Sequence, residues 1–157
     1  MGELSFLSVL EVHKVLKELF LQHQEALLDL DLGRATERLE EFERRLLQHI
    51  REEEELLLPV YERAGTIPGG APILFTGEHR RMQALLEDFK PVLASLAKRP
   101  DELKRGVLWL LDRQATFKNL MEHHNLRETN IFYPALDRVT SEAERREILS
   151  RCSAGRR

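Results

Sequence analysis

Residues 48–63 read QHIREEEELLLPVYER, and residues 123–138 read HHNLRETNIFYPALDR. At an offset of 75, His49 aligns with His124, Glu53 with Glu128, Pro59 with Pro134 and Arg63 with Arg138. A histidine and a glutamate four residues apart lie on one face of a helix. Each proline follows its glutamate by six residues and must disturb the helix there, because it lacks an N–H donor. A helix–loop–helix unit therefore occurs twice, each copy supplying one histidine and then a His-x3-Glu pair.

Working outward from this repeat, the chain reads as helix throughout. Gly and Pro punctuate it at Asp29–Gly33, Gly65–Gly70 and Arg99–Asp101. The segments between are rich in Leu, Glu, Arg and Ala, all good helix formers. Apolar residues recur at alternating steps of three and four. The first segment gives Phe6, Val9, His13, Leu16, Phe20, His23 and Leu27. The second gives Leu39, Phe42, Leu46, His49, Glu53, Leu56 and Val60, and the third Phe75, His79, Met82, Leu86, Phe89, Leu93 and Leu96. The fourth gives Val107, Leu110, Gln114, Phe117, Met121, His124, Glu128, Ile131 and Ala135. That spacing is the inward seam of packed helices. Four such helices joined by short connections predict an all-α, up-down-up-down four-helix bundle. Ser8-x-x-Glu11 is expected to cap the first helix and Pro72 to open the third. Pro91 is expected to kink that helix. Ser141-x-x-Glu144 predicts a short C-terminal fifth helix over about residues 141–152. The whole chain is expected to form a single domain, its bundle core covering about residues 5–138.

His13, His49, Glu53, His79, His124 and Glu128 all sit on the seam. Folding each hairpin at its break places all four histidines in one layer. The midpoint of His13 and His49 is Asp31, and that of His49 and His79 is Ala64. That of His79 and His124 falls between Asp101 and Glu102. Four imidazoles and two carboxylates would then converge in a low-dielectric core, an arrangement that cations stabilise. Two copies facing each other make a pseudo-symmetric site for two metals with two potential bridging carboxylates. His123 adjoins His124 but is off the seam, so His124 is selected. His23 and Gln114 lie ten residues from His13 and His124 along antiparallel helices. They are expected to form a second polar layer about 15 Å away, at the helical rise per residue.

The order His13, His49-x3-Glu53, His79, His124-x3-Glu128, with Pro59 and Pro134 following, resembles the hemerythrin-like domain, also called the HHE cation-binding domain. That resemblance implies a non-haem di-iron centre: two iron ions with an oxo or hydroxo bridge. It implies that the four histidines are terminal ligands and that Glu53 and Glu128 bridge. Zinc or manganese also suits imidazole and carboxylate donors. The ferritin-like alternative uses Glu-x-x-His motifs, and none of the six histidines has Glu three residues before it. Oxygen-carrying hemerythrins have a second histidine one turn after the third-helix ligand, where this chain has Gln83. Four-His, two-Glu members include proteins linked to iron–sulfur cluster repair under nitrosative stress, and iron-sensing domains. The resemblance thus implies a protein that meets oxygen, nitric oxide or peroxide, or that senses or supplies iron. A metal-stabilised interaction module and a reversible oxygen carrier are the alternatives.

Composition sets the outer bounds. There are 24 Lys and Arg against 27 Asp and Glu, which opposes nucleic-acid binding through overall positive charge. No apolar run approaches the roughly 18 residues a bilayer span needs. The start, Met1-Gly2-Glu3-Leu4-Ser5, has no basic region of a secretory signal, so a cytoplasmic location is expected. Cys152 is the one cysteine, which excludes an intrachain disulfide and any cysteine-only metal site. Glu52, Glu54, Glu55 and Glu78 are expected on solvated faces. Arg145, Arg146, Arg151, Arg156 and Arg157 are expected at the surface.

Overall fold

The computed structural model describes residues 3–152. A short 3-10 turn at Phe6–Val9 leads into α1 (Leu10–Leu28), followed by α2 (Leu32–Glu52). A π-helical turn at Glu53–Leu57 leads into the short α3 (Leu58–Tyr61). Next come α4 (Pro72–Ala97) and α5 (Leu103–Arg127). A second π-helical turn at Glu128–Phe132 runs into α6 (Tyr133–Val139), and α7 (Glu142–Arg151) follows. There is no strand among the described residues.

The four long helices form a closed ring. α1 packs on α2, α2 on α4, α4 on α5, and α5 returns to α1. Contacts between neighbours run in opposite sequence order. His13 meets Glu128 while Gln24 meets Gln114, so α1 and α5 are antiparallel. The all-α four-helix bundle with a short C-terminal helix is thus the architecture observed.

The seam residues fill two apolar clusters. One holds Phe20, Phe42, Phe89 and Phe117 among the leucines of the four long helices. Phe117 touches the other three rings at centroid distances of 5.1, 5.8 and 5.8 Å. The other gathers Phe6, Val9, Leu57, Tyr61, Phe75, Phe132, Tyr133 and Leu136, with Leu149 and Cys152 from the C-terminal segment. The six seam residues of ligand type, His13, His49, Glu53, His79, His124 and Glu128, lie between these clusters along the helices.

The connections differ in detail from the sequence expectation. The first break is shorter, because α2 starts at Leu32 and takes in Gly33. Leu30 adopts φ 59°, and the Asp31 and Leu30 amides donate to the Ala26 and Leu27 carbonyls. That pair of bonds closes the end of α1 as a Schellman turn. The Asp31 side chain accepts from the Arg34 amide and starts α2. At the N-terminus Ser5, not Ser8, provides the cap, accepting from the Leu7 amide. Ser5 also donates to Asp137, whose other oxygen accepts from the Phe6 amide. Pro72 opens α4 as expected, and the helix runs on through Pro91.

Ser141 and Glu144 form the expected capping box of α7. Arg145 is a correction: it is buried and donates to the Asp137 and Thr140 carbonyls. It stitches α7 to α6, which a surface arginine would not do. Arg146 and Arg151 are exposed, while Arg156 and Arg157 lie outside the described residues.

Candidate metal centre

His13 comes from α1, His49 from α2, His79 from α4 and His124 from α5. Glu53 and Glu128 each open a π-helical turn. All six are buried, none more than 9% exposed. Their polar atoms form a closed circuit. His49 Nε2 lies 3.0 Å from Glu53 Oε1, which lies 3.5 Å from His79 Nε2. The His79 and His124 rings are 4.8 Å apart. His124 Nε2 is 3.2 Å from Glu128 Oε1, which is 3.0 Å from His13 Nε2. His13 Nε2 and His49 Nε2 close the circuit at 3.3 Å.

The prolines explain the π turns. Pro59 and Pro134 sit near the start of α3 and α6, where a missing N–H is tolerated. The residue before each donates one position further back than in an α-helix: Leu58 to the Glu53 carbonyl and Tyr133 to the Glu128 carbonyl. The expected disturbance thus takes the form of a π-bulge, a device frequent at functional sites. Each glutamate is the first residue of its bulge.

The charges of the layer are held by one another. Burial works against a charged His49, yet the Glu53 carboxylate outweighs it and holds this imidazole above its usual value. Burial likewise opposes a charged Glu53, but His49 and His79 hold its carboxyl well below the normal range. Burial and then the His49 charge press His13 down to about 4. His124 is also lowered, mainly by burial.

Hydrogen bonds within the layer do not satisfy these groups. Glu53 Oε1, His79 Nε2 and Glu128 Oε1 are buried without a hydrogen-bond partner, although each lies within 3.5 Å of a polar neighbour in the circuit. Their separations are those of ion pairs, but their alignment is not that of hydrogen bonds. A buried polar atom left in this way costs about 1–3 kcal/mol. A cation among them gives every one a partner. Two groups of ligand atoms lie within 4.8 Å of one another: Glu53, His79, His124 and Glu128, and separately His13, His49 and Glu128. The donor set therefore fits a metal ion, with Glu128 common to both groups.

Outside the circuit the structure corrects two expectations. Glu54 and Glu78 are not simply solvated. His79 Nδ1 donates to Glu54 Oε2 at 3.1 Å, and His124 Nδ1 to Glu78 Oε1 at 3.2 Å. Arg80 grips Glu54, and Arg127 donates to Glu78 at 3.1 Å. Glu55 is exposed, as expected. Tyr133, which the sequence reading passed over, is fully buried and donates to Glu53 Oε2 at 3.1 Å. Burial and then the Glu53 charge hold its phenol well above the usual value. Its place directly before the second repeat's proline was the available signal. His123 is exposed and His124 buried. Gln83 is half-buried, accepts from Arg80 at 2.5 Å, and belongs to neither ligand group.

The second polar layer forms as expected. Gln114 Nε2 donates to His23 Nε2 at 2.9 Å, and His23 Nδ1 to the Ala35 carbonyl at 2.7 Å. The layer also recruits Gln24, which donates to Gln114 at 3.0 Å and accepts from Lys118 at 3.2 Å.

No helix among the described residues is long and apolar enough to cross a membrane. No curated protein and no solved structure shows a significant match to the chain. The family described as the Hemerythrin HHE cation binding domain matches residues 8–136, a span that starts before His13, takes in both His-x3-Glu pairs and their prolines, and ends inside α6. With its ligand-type residues gathered in the bundle core between those limits, the chain belongs to the hemerythrin HHE cation-binding family.

Proposed function

We propose that His13, His49, Glu53, His79, His124 and Glu128 hold two iron ions, and that the centre reacts with oxygen, nitric oxide or peroxide or senses iron through its occupancy. The observation that carries this reading is the closed circuit with its three buried, unpartnered atoms. When bound, iron supplies Lewis acidity, one-electron redox change and coordination positions open to a small ligand.

The chain's own residues do the rest. Glu54 and Glu78 accept the Nδ1 protons of His79 and His124, so each ring turns its Nε2 lone pair inward. Tyr133 holds Glu53 Oε2 and carries the one phenol proton next to the layer. The cluster of Phe6, Phe75, Phe132 and Leu136 covers one side, and the leucines and phenylalanines of the long helices cover the other. Only small species reach a site so enclosed. Gln83 is engaged by Arg80 and supplies no additional imidazole. That favours irreversible oxidation over reversible carriage of oxygen.

The test uses anaerobically reconstituted ferrous protein. Metal analysis is expected to give about two irons per chain, the number the ligand groups accommodate. Exposure to oxygen is expected to produce a ferric spectrum that evacuation does not reverse. Oxygen recovered intact by evacuation would restore the carrier reading. A spectrum indifferent to dithionite, oxygen and nitric oxide would leave a metal-stabilised interaction module.

A further inference from the structure

The six ligand-type residues obey a pseudo-two-fold relation, but the residues around them do not. α1 and α2 correspond to α4 and α5, so His13 pairs with His79, His49 with His124 and Glu53 with Glu128. At the same offset of 75, Glu54 corresponds to Thr129 and Arg127 to Glu52. Glu78 immediately precedes His79, and its counterpart before His13 is Val12. The relation also matches Tyr133 to Leu58.

The consequence is an outer shell built on one side only. His79 and His124 both give their Nδ1 protons to carboxylates. Each carboxylate is itself held by an arginine, and Arg127 reaches on to the Gly69 carbonyl at 2.7 Å. Thr129, in the place of Glu54, instead donates to the Asn125 carbonyl of its own helix. Among the described residues, no carboxylate accepts a hydrogen bond from His13 or His49 Nδ1, although the Glu52 charge acts on His49 through space. The two glutamates themselves span both sides: Glu53 Oε1 lies 3.0 Å from His49 Nε2 and 3.5 Å from His79 Nε2, and Glu128 Oε1 lies 3.2 Å from His124 Nε2 and 3.0 Å from His13 Nε2. Tyr133 occupies the far oxygen of Glu53.

We propose that the two metal positions are unequal. The position at His79 and His124 is tight and fills first, and the position at His13 and His49 is the labile one that exchanges metal. This rests on the two-metal reading above. The physical cause is ordinary. A carboxylate on Nδ1 fixes the tautomer, orients the ring and makes Nε2 a better donor, and losing such a partner typically weakens metal binding 10–100-fold. Both positions have a Glu53 and a Glu128 oxygen close by, but at one of them both imidazoles have Nδ1 held by a carboxylate, and at the other no carboxylate among the described residues does this. Glu54 and Glu78 are positioning residues that act through His79 and His124. A centre with one retained and one exchangeable ion is suited to sensing metal supply or releasing an ion, with the retained ion keeping the bundle folded.

The experiment loads the full chain with Zn2+ and challenges it with excess coloured chelator, following release. Two phases are expected, about one ion each, with rates at least about 10-fold apart, the lower end of the outer-partner effect. In His13→Ala the fast phase is expected to vanish while the slow phase keeps its rate. The double variant Glu54→Gln, Glu78→Gln keeps the size of the side chains. It is expected to speed the slow phase by about 10–100-fold and leave the fast phase within about two-fold. Circular dichroism checks that each variant is folded, and His49→Ala serves as the second probe of the fast phase. A single phase releasing both ions overturns the proposal while leaving two-metal binding intact. So does loss of the slow phase in both His13→Ala and His49→Ala. Failure of the wild-type chain to retain any Zn2+ would overturn the two-metal reading and this proposal with it.

Discussion

The bundle has two buried polar layers about ten residues apart along its helices, and they solve the same problem in opposite ways. In the second layer, Lys118 donates to Gln24, Gln24 to Gln114, Gln114 to His23 and His23 to a backbone carbonyl. Every member has a partner, and none of these atoms is left unpartnered. The first layer has more polar groups and more charge, yet three of its buried atoms have no hydrogen-bond partner. The difference lies in chemistry. Amides and one imidazole alternate donors and acceptors and so form a chain. His79 and His124 spend their Nδ1 protons on Glu54 and Glu78, so in the neutral rings Nε2 is an acceptor that meets carboxylate oxygens, also acceptors, with no proton between them. A histidine in a bundle core is thus informative only with its neighbours: His23 sits in a closed hydrogen-bond chain, while His13 lies in a group of residues able to hold a metal ion.

This contrast can be broken most directly at His124. His124→Ala is expected to weaken metal binding by more than the roughly 100-fold that loss of an outer partner costs at most. His123→Ala is expected to leave metal content unchanged, because His123 is exposed. Iron content after reconstitution decides it, and greater loss in His123→Ala would overturn the assignment.

Metal removal is the next largest effect. A ligand at 100 times its dissociation constant stabilises the folded state by about 2.7 kcal/mol. Stripped protein is expected to unfold at lower temperature, with protection from hydrogen exchange lost first around the two π turns and last around Phe117.

The second layer should respond to neither treatment, but it has its own sensitivity. Gln114→Leu leaves His23 Nε2 and Gln24 Nε2 without their partners, at an expected cost of about 1–3 kcal/mol in denaturant unfolding. Metal content is expected to stay at the wild-type level; a fall in metal would mean that the layers are coupled.

The smallest effect is on pH dependence. Burial, only partly offset by the Ala35 carbonyl, holds His23 below the ordinary value of 6.5. As pH falls through 6.5 the unfolded chain takes up a proton that the folded chain refuses. The contribution of His23 is therefore complete above that pH and is lost progressively below it. Stability between pH 7 and 5 is expected to fall less steeply in His23→Gln than in wild type. Equal slopes would count against the neutral, hydrogen-bonded His23.

The seam arithmetic accounts for how much was legible. Alternating steps of three and four name the residues that face inward, and hairpin midpoints set their heights, so the six-residue layer and the His23–Gln114 pair both follow from spacing. Glu54 and Glu78 escaped because they flank the seam. Whether a flanking carboxylate faces water or the next helix depends on how closely that helix approaches. Arg145 escaped for the same reason. Tyr133 lies beside a π-bulge, which shifts the register in which helical faces are counted.

The sequence by itself therefore determined the bundle, the two polar layers, the ligand-type residues and the sites where prolines interrupt the helices. All of these are properties of periodicity along single helices and of loop position. The tertiary structure alone decided that Ser5 caps the 3-10 turn leading into α1, the π form of the interruptions, the carboxylates behind His79 and His124, and the tyrosine on Glu53. Each of these depends on the distance and rotation between neighbouring helices, set by the packing of all the side chains at once. A repeat that looks two-fold along the chain is for that reason one-sided in space.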